Sequence, residues 1–173
     1  PGVAPSARII DATSAVGGTC NDWARTVQLK LGEGSRLRIE LPSEPLGVVF
    51  DAEHLRRVLV NLLDNARRHG SDEPGAIHLS LSARDDGSAL LTVASDGPPI
   101  PPDVERYLFE PFFSTRSRGT GLGLYICKEL CERYGASIDY RLLPAGERNR
   151  NEFHVTMQRG VLLATDVRLH LAS

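Results

Sequence analysis

The sequence predicts an α+β fold: a mixed, mostly antiparallel sheet with helices layered on one face. Three observations point there. Short runs alternate apolar and polar residues at the two-residue period of a half-buried strand. Two segments, about 53–68 and 122–134, carry apolar residues at helical spacing instead. Strands in the second half pair across short polar turns, as in hairpins. At 173 residues, 41% hydrophobic and 24% charged, the chain is long enough for one domain with its own core.

Taken in order, residues 1–7 are rich in Pro, Gly, Ala and Ser and read as a frayed linker. Residues 8–31 are mostly helix-compatible, with a break expected at Gly17-Gly18 and Trp23 packing inward. The stretch 1–35 is thus expected as a linker and helix ahead of a domain spanning 36–158. That domain opens on the alternating Arg36–Leu41 and the short apolar strand Leu46–Phe50. Asp51 is placed to cap the following helix. Ile77–Ala83 and Leu90–Ser95 read as strands joined at Arg84-Asp85-Asp86-Gly87. An irregular segment, about 97–120, contains one short helix near Val104–Leu108. The next helix closes at Gly135, in the position that favours a left-handed residue. Ser137–Arg141 and Glu152–Gln158 read as the last strands. The tail 159–173 is apolar and is expected as an added strand, an interface or a disordered end.

The net charge of −2 gives no basic nucleic-acid surface, so no nucleic-acid partner is expected. No apolar run approaches the ~20 residues of a membrane span. The three cysteines lack zinc-site spacing and read as core thiols in a reducing compartment. The chain opens on Pro1 and is expected to be a piece of a longer protein.

Two stretches carry chemistry. Gly119-Thr120-Gly121-Leu122-Gly123-Leu124 runs into an apolar helix. Such a turn either cradles phosphate on free backbone N–H groups, aided by the helix dipole, or is a plain turn. On the helix before it, Leu55, Leu59, Leu62, Leu63 and Ala66 form an apolar stripe, with Asn61, Asn65 and Arg68 on the adjacent flank. Asn is a poor helix-interior residue. The pair is either two solvated amides or oxygen donors facing a cavity that holds Mg²⁺ and phosphate. Arg68 is placed to meet a phosphate oxygen. His69 either lies against a base or is an ordinary histidine at a helix C-terminus.

Asn61-Leu62-Leu63-Asp64-Asn65-Ala66 resembles an N box, Ser95-Asp96-Gly97-Pro98-Pro99-Ile100 a G1 box, Phe109-Glu110-Pro111-Phe112-Phe113-Ser114-Thr115 an F box, and Gly119–Leu124 a G2 box. In this order and spacing the set resembles the catalytic ATP-binding domain of a two-component sensor histidine kinase, in the GHKL superfamily. The resemblance implies a two-layer α/β sandwich that binds ATP between its helices and a flexible lid. It implies Asn65 as the Mg²⁺ ligand, Asn61 reaching metal or phosphate, Arg68 on the phosphates and His69 at the nucleotide's edge. It makes Gly119, Gly121 and Gly123 the lid backbone around the triphosphate, with Thr120, Leu122 and Leu124 beside them. Phe109 anchors the lid, Thr115 follows it, and Arg116 and Arg118 either meet the γ-phosphate or are solvated.

Two departures stand out. The family's G1 box begins with an Asp that accepts from the adenine amine; the register anchored on Gly97, Pro98 and Ile100 puts Ser95 there. Strand alternation sets Ser95 on the face of Leu91 and Val93 and turns Asp96 away, so either the Ser95 hydroxyl accepts from the amine, directly or through water, or Asp96 swings in through a local bulge. Pro99 stands where a Gly is usual, so the turn is stiffer and has one donor fewer. Weaker adenine binding is expected. None of the five histidines (His54, His69, His78, His154, His170) has the sequence context of a phosphoacceptor, so that group is expected elsewhere. The partners so implied are a dimerisation domain carrying the acceptor histidine and a response regulator, in a homodimeric cytoplasmic or membrane-anchored protein of which this piece alone is monomeric. The alternatives are a GHKL ATPase, which carries a Glu where Asn61 stands, and a non-catalytic nucleotide-binding regulatory domain. An amide is no general base, which disfavours the ATPase.

Overall fold

A computed structural model describes residues 8–112 and 123–163. Strands β2 (Leu37–Glu40), β4 (Ile77–Ala83), β5 (Ser88–Ser95), β7 (Asn151–Gln158) and β6 (Ser137–Leu142) form a five-stranded sheet in the order β2-β4-β5-β7-β6. Only the β2–β4 pair is parallel; the others are antiparallel. Helices α1 (Ala12–Thr26), α2 (Ala52–His69) and α4 (Gly123–Arg133) supply the helical layer, and a short α3 (Pro102–Glu105) follows β5. This is the α+β arrangement expected.

The N-terminal segment differs from expectation. Residues Arg8–Asp11 form strand β1, which pairs antiparallel with β3 (Gly47–Phe50) in a separate two-stranded sheet. Four residues, Arg-Ile-Ile-Asp, are too few to show a strand period beside a helical run. Asp11 stops the strand and caps α1: its carboxylate accepts from the Thr13 N–H at 3.0 Å and from the Leu46 N–H at 3.0 Å. Nor does α1 break at Gly17-Gly18. Gly17 abuts the Leu41 side chain, where a Cβ would sit only 3.3 Å from it, so packing outweighs the weak helix propensity of glycine. Ile10, Val16, Cys20 and Trp23 belong to the same core as the sheet, so β1 and α1 take part in the domain's packing. At the other end Arg159 bridges Val48 and the Gly160 N–H donates to Gly47 O at 3.1 Å, tying the start of the tail to β3.

Helix α2 explains why the layers hold. Asp51 accepts from the His54 N–H at 3.0 Å, closing the first turn. Leu55, Val58, Leu59, Leu62, Leu63 and Ala66 are all buried. Each of the larger ones contributes about 1.5–3 kcal/mol on burial. The Trp23 indole N–H donates to Asp64 Oδ1 at 2.8 Å, and Arg56 meets Asp22 at 3.0 Å, so α1 and α2 are joined by polar contacts as well. Tyr134, fully buried, stacks on Phe50 at 4.6 Å between ring centroids and bonds His54 Nδ1 through its hydroxyl. Gly135 ends α4 at φ 67°, and the Ala136 N–H reaches back to Cys131 O at 3.0 Å. The three thiols are buried, which pushes Cys20, Cys127 and Cys131 up to about 12 and leaves them protonated and inert.

Candidate nucleotide site

One end of the helix–sheet interface opens into a recess lined by Asn65, Ala66, His69, Val93, Ser95, Pro98, Ile100, Asn151 and Phe153. Four parts of the chain build it. The last turns of α2 bring Asn65 and His69. The end of β5 brings Val93 and Ser95, two apart and so on one face. The turn after β5 brings Pro98 and Ile100, and the start of β7 brings Asn151 and Phe153. Val93, Ile100 and Phe153 make an apolar floor, and polar groups stand around it. A mainly apolar cleft with a few placed polar groups suits a flat heterocycle.

The turn is held by a chain of hydrogen bonds. Asn151 Nδ2 donates to Gly97 O at 2.6 Å and to Pro98 O at 3.1 Å. Its Oδ1 accepts from the Tyr140 hydroxyl, which in turn accepts from the Ile100 N–H at 3.4 Å. Burial pushes the Tyr140 phenol above its ordinary value, so it stays a donor at neutral pH. Gly97 lies directly under the end of α2, where a Cβ would run into the carbonyl of His69. That close approach is why the turn needs glycine here.

Ser95 and Asp96 part company. Ser95, 4% exposed, faces the recess, and its hydroxyl has no hydrogen-bond partner among the described residues. Asp96 turns outward. It accepts from the Ser71 N–H at 2.7 Å and the Ser71 hydroxyl at 2.6 Å, and lies 3.8 Å from Arg148.

Of the other residues singled out from sequence, Asn61 sits one turn before Asn65, and its Nδ2 donates to Gly123 O at 3.3 Å, joining α2 to the start of α4. Leu124 packs against the core. Arg68 is exposed beyond the recess, and Pro99 is exposed without lining it. Phe109 meets Phe153 edge to face at 6.2 Å, supporting the floor from behind. Thr115, Arg116, Arg118, Gly119, Thr120, Gly121 and Leu122 lie outside the described residues. Asn151 and Phe153 were not singled out from sequence. Their signal was the strand alternation that also buries Val155 and Met157.

A metal site fits only with help. Among the described residues no group of three or more His, Cys, Asp or Glu could hold an ion. Asn65 offers one amide oxygen at the rim, a hard donor suited to Mg²⁺ when phosphate oxygens and water complete the shell.

The architecture is that of a histidine-kinase catalytic domain. The chain superposes on the mycobacterial sensor histidine kinase MprB with a TM-score of 0.73 at 24% identity, covering 90% of this chain and 99% of that one. It superposes on the catalytic domain of histidine kinase ThkA with a TM-score of 0.70 at 25% identity, covering 89% and 96%. Residues 50–161 match the model of the histidine kinase-, DNA gyrase B- and HSP90-like ATPases, and the chain belongs to that family. Over 115 residues it is 44% identical to the sensor protein kinase PilS of Pseudomonas aeruginosa, and over 116 residues 40% identical to the C4-dicarboxylate transport sensor protein DctB of Rhizobium meliloti. These matches take in 65% and 66% of this chain but 22% and 18% of those proteins. The chain thus spans about a fifth of the length of these relatives.

Proposed function

We propose that this chain is the ATP-binding catalytic part of a sensor histidine kinase. It transfers the γ-phosphoryl group of Mg·ATP to a histidine on a dimerisation domain, from which a response regulator takes it. The observation that carries this reading is the convergence of Asn65 and His69 from α2 with the Ser95–Ile100 turn around one recess. The identity to sensor kinases supports it.

The base lies on Val93, Ile100 and Phe153, with its edge toward Ser95. The triphosphate leaves the recess past Asn65 toward the start of α4. Asn65 holds Mg²⁺ through its amide oxygen, and Arg68 neutralises a phosphate. The ion supplies charge stabilisation to the phosphates in transfer. The protein otherwise needs only to position the donor, since phosphoryl transfer runs largely on alignment and electrostatics. Asn61 offers no base to activate water, so hydrolysis is slow compared with transfer. The domain works in the cytoplasm as part of a homodimeric sensor. The test is to mix the chain with Mg·ATP and the dimerisation domain of its full-length protein. Acid-labile phosphohistidine on that domain is the expected product. Rapid ATP hydrolysis with no phosphohistidine would overturn the assignment.

A further inference from the structure

We infer that the base end of the recess accepts 6-oxopurine triphosphates alongside adenine ones, with Ser95 as the residue that leaves the choice open. This rests on the reading of the recess as a purine-nucleotide site.

Among the described residues the lining contains no carboxylate. The nearest in sequence, Asp96, is turned outward and occupied by Ser71 at 2.6 and 2.7 Å. Asn151 also faces the recess, but both ends of its amide are engaged, with Gly97 and Pro98 on one side and Tyr140 on the other. On the β5–β7 side this leaves the Ser95 hydroxyl, which lines the recess, to meet the edge of a base.

The chemistry of that edge decides the specificity. Adenine presents an amine at position 6, a donor; hypoxanthine and guanine present a carbonyl there, an acceptor. A carboxylate only accepts, so it bonds the amine and repels the carbonyl. A hydroxyl both donates and accepts, and its hydrogen rotates to suit. Ser95 can therefore accept from the adenine amine or donate to the 6-oxo group with similar strength. The floor of Val93, Ile100 and Phe153 contacts either ring system alike. Strong rejection of an analogue needs a site group left buried and unpaired in the wrong complex, and neither purine leaves Ser95 so.

Inosine triphosphate is the clean probe, because its base differs from adenine only at that edge. Isothermal titration of the chain with Mg·ATP and Mg·ITP should give dissociation constants within about tenfold of each other, the span of one neutral hydrogen bond. Ser95→Asp should separate them by about 100-fold in favour of ATP. Ser95→Ala should weaken both by a similar factor and leave their ratio within tenfold, and it keeps the test open if the buried carboxylate prevents folding. Circular dichroism monitors the fold of each variant. If ATP binds and ITP binds more than about tenfold weaker to the unaltered chain, this inference falls and the nucleotide site stands. If the folded chain binds neither triphosphate, the site reading falls and takes the inference with it.

Discussion

The face of the sheet beneath the helices changes character along one pair of strands. On β5 and β7 the cross-strand partners are Ala89 with Met157, Leu91 with Val155, Val93 with Phe153, and finally Ser95 with Asn151. All eight are buried. Three pairs are hydrocarbon or thioether and fill the core. The fourth is polar, and together with Val93 and Phe153 it lines the recess. The two ends obey the same alternation, so the backbone does not distinguish them. A change of side chain at one register step converts packing surface into a place that can receive polar atoms. Ser95 lines the recess, so its hydroxyl is open to an atom of a ligand there.

Substitutions at the two ends should therefore separate stability from binding. The largest stability effect is expected at the apolar end. Leu91→Ala should lower unfolding free energy by about 2–5 kcal/mol, measured by urea denaturation, with ATP affinity of the folded fraction unchanged. Asn65→Ala should do the reverse. Its phosphoryl transfer should fall about 100-fold with the melting temperature nearly kept, and equal losses of both would erase the contrast. Gly97→Ala falls between, since it presses a Cβ into the His69 carbonyl. We expect about 1–3 kcal/mol lost in thermal melts together with weaker ATP binding. The smallest effect is expected at Asp96→Asn. It loosens the bonds to Ser71 by about 1 kcal/mol and should leave ATP affinity alone. A large loss of binding there would mean the base reaches Asp96 and not Ser95.

How much of this could be read beforehand follows from where the information lies. The strand and helix periods between residues 36 and 158 are local, and they place β2 to β7 within a residue or two of their observed limits. Alternation along β5 is also local, and it separates Ser95 from Asp96. The role of Asn151 is not local. It comes from hydrogen bonds to Gly97 and Pro98, more than fifty residues back in the chain, and no pattern around Asn151 announces them. Strand β1 was missed because its pairing with β3 lies across α1, while its four residues fit a helix as well as a strand. The partner of Asp64 is likewise distant in sequence: it is the Trp23 indole, 41 positions away.

That last contact gives the chain a built-in optical probe. Trp23 is the sole tryptophan of the sequence, 3% exposed, and its indole N–H is held by the residue next to Asn65. Its emission reports a single environment, with no second fluorophore of its kind to subtract. Unfolding will shift that emission to the red, and any movement of this turn of α2 will alter its intensity. Folding and occupancy at Asn65 can thus be followed on one unlabelled sample.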